Sequence, residues 1–196
     1  MSKTDHSDGL SVMQVILTLE RAGAQEVVRT LAEHLQENGC SVAVCAFEDG
    51  AMRAEIEKLG IPVEILNRPR HSVVRFPSFL AEMLRIRREL AALIERWQVD
   101  IVQSHLLQVL DFLVLSLRPA TRLRLVLWTM QNVEFLPEQM PRESQGLHKL
   151  KVSGYRFLYR WLSKYVDGFV AVSDEVRREI IRQLGAEPEK VHTICN

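Results

Sequence analysis

The chain has 196 residues, of which 47% are hydrophobic, so it is long enough to form one domain with a substantial buried core. Its 25 basic residues balance 25 acidic residues, which gives a formal net charge of zero. A balanced charge produces no overall field that would attract nucleic acid or an anionic membrane, so we expect no nucleic-acid partner and look for electrostatic function only in local patches.

The first residues and the cysteines bear on the location of the protein. Residues 1–10 are polar and lack the apolar segment of a signal peptide, so we expect a disordered tail and a protein that is not secreted. The longest apolar stretch, residues 109–117, is about half of the ~20 residues that span a bilayer and predicts a core helix. Cys40, Cys45 and Cys195 fall in predicted strands without C-x-x-C spacing, which favours reduced structural thiols in a cytoplasmic protein, with no metal site.

The first predicted elements form a β-α-β unit. Residues 12–19 are continuously apolar, as in a parallel strand that is buried on both faces. A helical stripe follows from Val27 to Leu35, Gly39 ends this helix as an αL cap, and residues 40–46 form the second strand. A crossover of this kind implies that the two strands are parallel neighbours.

A turn of small residues, Ala22-Gly23-Ala24, joins the first strand to the helix. Ligands of open parallel sheets bind outside the carboxyl ends of the strands, where helix N-termini attract anions. Small side chains at this turn would let the backbone approach a phosphate closely, or Gly23 could serve only to permit a tight turn. The dinucleotide pattern G-x-G-x-x-G is absent, which disfavours NAD.

Strands and helices continue to alternate along the rest of the chain. Seven strands are predicted in all, which indicates an α/β fold with a Rossmann-like, doubly wound parallel sheet. Ser173 is the predicted N-cap of the last helix and Gly185 its C-terminal residue. The other strands are predicted at 61–66, 100–104, 124–130, 168–172 and 191–195, the other helices at 51–59, 77–97, 106–117 and 147–165, and a long loop, of a kind that is often functional, at 131–145.

The helix predicted at residues 147–165 has an apolar stripe and a basic side. The stripe includes Phe157, Trp161 and Tyr165, and the basic residues on the opposite side are Lys149, Arg156, Arg160 and Lys164. From Pro141 to Val166 the sequence contains six basic residues and one acidic residue, a local charge of +5. A basic side of this kind is by default a solvated face.

Several motifs occur together in the order and spacing of a known family. Leu19 to Gln25 resembles an L-x-x-G-G-A-E/Q turn with Ala22 in place of the first glycine, residues 59–63 an L-G-I-P-V element, and residues 100–105 a D-(I/V)-(I/V)-x-x-H strand end. Residues 172–191 resemble a V-S-x-x-V…L-G…E-K-V run, which in the family continues into I-x-N-G-V-D, where Asn196 matches the Asn. These motifs resemble the N-terminal domain of the family 4 glycosyltransferases, whose GT-B fold has two Rossmann-like domains facing each other across a cleft.

The resemblance implies that residues 11–196 are the N-terminal, acceptor-side half of a GT-B glycosyltransferase and that the C-terminal, donor-binding domain is absent from this chain, which alone would then be inactive. The implied reaction is the retaining transfer of a sugar from a nucleotide-sugar donor to an acceptor hydroxyl, without a cofactor or an obligatory metal. The acceptor would be a glycan or a lipid-linked molecule of glycan, lipopolysaccharide or glycolipid biosynthesis. The implied location is cytoplasmic, with peripheral contact to the inner face of an anionic plasma membrane.

The resemblance also implies roles for particular residues. Ala22 and Gly23 would face the donor diphosphate, with the Gly23 N–H directed at it, and His105 and Asn132 would line the cleft. Many relatives end the strand matching residues 125–130 with T-x-H and place that His at the donor sugar. This chain has Gln131 there, which as a catalytic residue would form hydrogen bonds but could not transfer a proton as imidazole does. Lys149, Arg156, Arg160 and Lys164 would face the acceptor or the membrane.

Two further functions stay open at this point. The chain could be a non-catalytic binding domain or relic that grips a nucleotide or an acceptor without turnover. It could also belong to a GT-B epimerase that acts on a nucleotide sugar. In either case His105 could be a structural polar residue, and Gln131 and Asn132 could serve only to satisfy the backbone of the loop.

Overall fold

A computed structural model describes residues 9–67, 76–105, 109–131 and 147–194. The chain divides into two compact units, residues 1–126 and residues 127–196. The tail predicted for residues 1–10 falls almost entirely outside the described residues, as do Asn132, Cys195 and Asn196.

The described strands of the first unit are β1 (Ser11–Thr18), β2 (Ser41–Glu48), β3 (Val63–Ile65) and β4 (Ile101–His105). Its helices are α1 (Gly23–Glu37), α2 (Arg53–Lys58), α3 (Phe76–Arg96) and α4 (Val109–Leu115), with a 3-10 turn at Arg118–Ala120. These four strands are parallel and lie in the order β3-β2-β1-β4. The strand order reverses between β1 and β4, and at such a switch point α/β folds bind their ligands outside the carboxyl ends of the strands.

The core of the first unit forms where α1 and α2 pack on the sheet. The apolar side of α1 contributes Val28 and Ala32, both with no exposed surface, and α2 contributes Ile56. Gly39 lies just beyond α1 with φ 82°, which confirms it as the predicted left-handed cap. The start of α1 differs from the prediction, because the helix begins at Gly23, inside the turn predicted at Ala22-Gly23-Ala24. Gly23 is therefore the first helical residue and not part of an irregular turn.

The second unit contains three strands in the order β5-β6-β7, also parallel. Ser173 Oγ accepts a hydrogen bond of 3.2 Å from the Val176 N–H, and Gly185 has φ 65°, so the predicted N-cap and C-terminal glycine are both confirmed. The elements are β5 (Leu125–Met130), which contains the boundary between the units, α5 (Leu147–Leu162), a 3-10 turn (Ser163–Tyr165), β6 (Gly168–Ala171), α6 (Asp174–Glu179), a π-helical turn (Ile180–Leu184), a 3-10 turn (Pro188–Lys190) and β7 (Val191–Thr193).

An aromatic cluster forms the core of the second unit. Trp128 on β5 contacts Tyr159 on α5 edge to face, with ring centroids 5.2 Å apart, and Phe169 on β6 at 5.8 Å. All three rings are almost fully buried. Such edge-to-face pairs contribute about 0.5–1.5 kcal/mol beyond the area that they bury. Tyr159 therefore fixes which side of α5 faces the sheet.

The predicted α/β class with parallel strands is confirmed by these elements.

The prediction for the cysteines holds in part. Cys45 lies buried in β2, where burial and, to a smaller extent, the charge of Glu64 raise the pKa of its thiol, and both Cys40 and Cys45 are free thiols. Cys40 is not in a strand, since it lies one residue before β2. Within the described residues, no helix is both long and apolar enough to cross a bilayer.

Asp100, which precedes β4, joins the start of β1 to the residues just before β5. One carboxylate oxygen accepts a hydrogen bond of 3.1 Å from the Ser11 N–H, and the other lies 3.2 Å from Arg122 Nη2 and 3.3 Å from Arg124 Nε. Burial alone would raise the pKa of Asp100, but the Ser11 N–H and the two guanidinium groups outweigh it and lower the pKa. The carboxylate is therefore held in its charged form in the folded protein.

We expect Asp100→Asn to lower the free energy of unfolding at pH 7 by about 1–3 kcal/mol, because it weakens hydrogen bonds to a buried charged group. Since the folded pKa is lowered, the wild-type contribution is present above the unfolded pKa of about 3.9 and is lost as the pH falls through the folded value. Urea unfolding of wild type and variant at pH 7 and pH 3 checks this. The matched control is Asp49→Asn, which removes an exposed carboxylate bound to Arg53 and should change stability little. Equal losses for both variants would contradict the prediction.

Candidate functional site

The N-terminus of α1 presents backbone donors that have no partner among the described residues, beside the end of β1. Ala22 precedes the helix with an extended backbone and no side-chain cap, and the Glu26 N–H makes the first helical bond, 3.2 Å to the Ala22 carbonyl. The N–H groups of the first turn therefore point out of the helix, as at every helix start. Ala22 and Gly23 are both exposed. This arrangement suits an anionic group such as a phosphate.

A side chain at position 23 would have free space at the start of α1. A Cβ built on Gly23 meets no atom of the described residues within 4 Å, and Gly23 is not among the glycines with positive φ. The fold would therefore accept alanine here, so packing and backbone strain do not explain the glycine. A requirement for close approach by a ligand would explain it.

The charges around this turn partly cancel one another. Arg21 pairs with Glu26 at 2.9 Å and also contacts Glu55, and Glu26 pairs with Arg29 at 3.1 Å. The acid in the first turn of α1 already interacts favourably with the positive end of the helix dipole. An anionic ligand at Gly23 would consequently rely on the backbone N–H groups more than on free basic side chains.

Gln25 fixes the first turn of α1 to the end of β1. Its Nε2 donates a hydrogen bond of 2.9 Å to the Thr18 carbonyl, and the side chain is only 6% exposed. Its Oε1 is buried without a partner among the described residues. Because this hydrogen bond holds the end of β1 against the start of α1, the role of Gln25 is to position the backbone N–H groups of Ala22 and Gly23.

His105 is the last residue of β4 and belongs to a buried chain of polar side chains. Gln14 Nε2 donates to Gln103 Oε1 at 3.1 Å, and His105 Nε2 lies 2.5 Å from Gln14 Oε1. An amide oxygen only accepts, so His105 carries its proton on Nε2 and leaves Nδ1 as an acceptor. Nδ1 is buried and has no partner in the described part of the chain. Burial lowers the pKa of His105 to about 3, so the ring is neutral at physiological pH.

The structure therefore places His105 where the sequence predicted, at a strand end, but with its ring fully buried. Contact of this residue with a ligand stays a prediction. The sequence analysis missed Gln14 and Gln103, which orient the ring. The available signal was the presence of glutamines in the middle of two otherwise apolar strands, since a buried amide needs a partner.

Gln131 lies in the second unit, directly after β5. The residue is partly buried, and its Nε2 is buried without a partner among the described residues. A buried amide N–H without a partner costs about 1–3 kcal/mol, so its partner in the working protein needs an explanation. Asn132, the other residue predicted for this loop, lies outside the described residues. The geometry leaves Gln131 with a hydrogen-bond donor available.

The basic residues of α5 share their side of the helix with aromatic residues. Arg156, Arg160 and Lys164 are exposed as predicted, but so are Phe157, Trp161 and Tyr165. The prediction that the aromatic stripe lies opposite the basic residues is wrong for these three positions, because Tyr159 and Ser163 occupy the buried side. Lys149 belongs to α5, but its side chain is not among those that the structure describes.

Comparison with known proteins now adds to these observations. The model of Glycosyltransferase Family 4 matches residues 21–196, about nine-tenths of the chain. The chain belongs to glycosyltransferase family 4. A search of curated protein sequences found no match.

Solved structures share the fold of this family 4 chain at low sequence identity. A glycosyltransferase from Rickettsia africae superposes with a TM-score of 0.70 at 17% identity, over 96% of this chain and 43% of that one. Anabaena HepE in complex with UDP superposes with a TM-score of 0.67 at 16% identity, over 95% and 44%. The UDP-GlcNAc 2-epimerase of Neisseria meningitidis, bound to UDP-GlcNAc, gives a TM-score of 0.56 at 15% identity, over 94% and 46%.

These superpositions confirm the predicted Rossmann-like fold of GT-B glycosyltransferases. The chain spans less than half of the length of each of these three structures. Epimerases share the same fold, so the fold alone does not separate transfer from epimerisation.

Proposed function

We propose that this family 4 chain is the N-terminal, acceptor-side half of a glycosyltransferase that moves a sugar from a nucleotide-sugar donor to an acceptor hydroxyl with retention of configuration. The family match supports transfer, and the similarity to structures bound to UDP and to UDP-GlcNAc supports a nucleotide-sugar donor. The acceptor is a glycan or a lipid-linked molecule of glycan, lipopolysaccharide or glycolipid biosynthesis. The chain works in the cytoplasm, peripherally on the inner face of the plasma membrane, without a cofactor or an obligatory metal.

The observation that carries this proposal is the open start of α1. Ala22 and Gly23 present backbone N–H groups at the switch point of the sheet, and in the described part of the chain no atom fills the space that a Cβ on Gly23 would occupy. Backbone donors at a helix start hold a diphosphate without a charged side chain. Arg21 would add no free charge to the site, because it is already paired with Glu26 and Glu55. The hydrogen bond from Gln25 to the Thr18 carbonyl keeps these donors in place.

The chemistry that remains for this half is orientation of the donor and acceptor. Gln131 donates an amide N–H to a hydroxyl of the donor sugar and, as an amide, exchanges no proton near neutral pH. His105 supports the end of β4 from the interior, since its ring is neutral and fully buried. We place the rest of the donor on a second domain, and we propose that residues 1–196 alone do not turn over.

A non-catalytic binding domain is the second candidate, and the presence of Gln131 where many relatives have His favours it. The two functions make opposite predictions for this position. If the protein catalyses transfer, Gln131→Ala in the enzyme completed with its second domain lowers kcat/KM about tenfold or more, because one hydrogen bond is lost and a partner is left unpaired. Gln131→His then gives no gain on the native donor.

Steady-state kinetics of wild type and both variants decides between the candidates. The contribution of Gln131 should not change between pH 5.5 and 8, since no group with the histidine pKa of about 6.5 is involved. Gln36→Ala on the exposed side of α1 serves as the control and should leave kcat/KM unchanged. A rate that rises with His, together with no effect of Ala, would show that the protein is a relic whose Gln131 has no catalytic role.

A further inference from the structure

One face of α5 and of the 3-10 turn after it exposes large aromatic rings. Phe157 is 73% exposed, and Trp161 and Tyr165 are each 50% exposed. The three residues are spaced by four, so they lie along one side of the helix. Arg156, Arg160 and Lys164 are exposed among them. We name these six residues the aromatic-basic face.

The rings and cations of the aromatic-basic face are in contact. Lys164 Nζ lies 5.4 Å from the centroid of the Trp161 ring and 5.0 Å from that of Tyr165, and these two rings meet edge to face at 5.8 Å. The sequence has no acidic residue between positions 147 and 166. The face therefore combines amphipathic aromatic side chains with positive charge and has no carboxylate of its own to neutralise it.

We propose that the aromatic-basic face docks on an anionic lipid bilayer, with Phe157, Trp161 and Tyr165 entering the headgroup boundary and the basic residues meeting lipid phosphates. Trp and Tyr favour this boundary because one end of each ring is apolar and the other is polar, and basic side chains add attraction to anionic lipid. The inference deepens the peripheral location in the proposed function and rests on it for its setting. Binding to lipid does not, however, depend on sugar transfer.

The charge pattern favours lipid over other occupants. A second copy of this chain would bring the same cations against one another across a two-fold axis, where like charges repel. Centres of protein interfaces are depleted in lysine, whereas here Lys164 lies between two rings. A bilayer rich in anionic headgroups complements the rings and the cations at once.

Vesicle sedimentation of the full chain tests the proposal. We expect the protein to bind vesicles of an equal mixture of phosphatidylcholine and phosphatidylglycerol, to bind less as salt is raised, and not to bind phosphatidylcholine alone. Phe157→Ala/Trp161→Ala/Tyr165→Ala and Arg156→Gln/Arg160→Gln/Lys164→Gln should each lower the partition coefficient by roughly tenfold to a hundredfold. Trp emission should shift to the blue on binding, and Trp161→Phe should remove that shift.

Matched controls distinguish binding through this face from nonspecific adsorption of the protein to vesicles. Leu80→Ala/Leu84→Ala removes two side chains of similar exposure from α3, and Lys58→Gln/Arg88→Gln/Arg178→Gln removes the same charge from other exposed sites. Both controls should bind as wild type does, and circular dichroism should show every variant folded. Equal binding to neutral vesicles, no binding, or equal losses in the controls would overturn the proposal whether or not the enzyme transfers sugar. So would self-association of the chain that the aromatic variant abolishes.

Discussion

Gly50→Ala is expected to destabilise the first unit by about 3 kcal/mol or more, which is over a hundredfold in the ratio of folded to unfolded protein. A Cβ on Gly50 would lie 2.2 Å from the carbonyl carbon of Leu19 and 2.3 Å from the nitrogen of Glu20. Both atoms are backbone, so no side chain can rotate away. Gly50 is not among the glycines with positive φ, so the cost is steric and not conformational.

The loop of Gly50 supports the turn that leads to α1. The Met52 N–H donates to the Leu19 carbonyl at 3.0 Å, and the Leu19 N–H donates to the Glu48 carbonyl at 3.2 Å. To accept a methyl group the two loops must separate, which would weaken both bonds. Urea unfolding measures the loss, and Gly23→Ala is the control, since its methyl group would meet no atom within 4 Å among the residues that the structure describes. If the two alanine variants are equally stable, the close approach of the loops is not a constraint on the fold.

Local sequence signals predicted the fold well where one residue determines a conformation. Ser173 was recognised as a cap because a hydroxyl can bond to the amide three residues on, and Gly39 and Gly185 because left-handed backbone favours glycine. The start of α1 was missed because Ala24, Gln25 and Glu26 do not continue the apolar stripe. Gln25 is buried by its bond to Thr18 and not by hydrophobicity, so no periodicity marks it.

The remaining misses depend on contacts between residues that are distant in sequence. The predicted apolar stripe of α5 included Trp161 and left out Tyr159, whereas Tyr159 packs on Trp128 and Trp161 is half exposed. Residues two positions apart lie on opposite sides of a helix, and which of these sides meets the sheet depends on partner residues elsewhere in the sequence. Burial of His105 follows from the register that places Gln14 beside Gln103, and register cannot be read from one strand. The tight contact of Gly50 with Leu19 likewise joins two separate loops. The places of Gly23 near a helix start and of His105 and Gln131 at strand ends were predictable, whereas the contacts that surround these residues were not.

Gly23→Asp is the substitution expected to affect donor binding most. A carboxylate at the first position of α1 lies beside the positive end of the helix dipole, so the variant should fold and should be more stable by about 0.3–1 kcal/mol. The same carboxylate would meet the donor diphosphate. Two unit charges about 5 Å apart at an effective dielectric constant of 20 repel by roughly 3 kcal/mol, so we expect the affinity to fall about a hundredfold.

Two neutral variants separate charge from size at this position. Gly23→Asn has the shape of Asp without its charge, and it should lower the affinity about tenfold by blocking the close approach of the backbone. Gly23→Ala adds only a Cβ and should have a smaller effect than either. The loss in the Asp variant should shrink as ionic strength rises, while the loss in the Asn variant should stay constant, because salt screens charges and not contacts.

Calorimetric titration of the enzyme completed with its second domain measures these affinities, with UDP as the probe and urea unfolding as the parallel test of stability. The stability gain and the affinity loss of Gly23→Asp have opposite signs, so misfolding cannot account for both. An Asp variant that is more stable and binds UDP as wild type does would place the diphosphate away from α1. In that case the open space before Gly23 has another use, and the proposal that backbone donors of this helix hold the donor would be wrong.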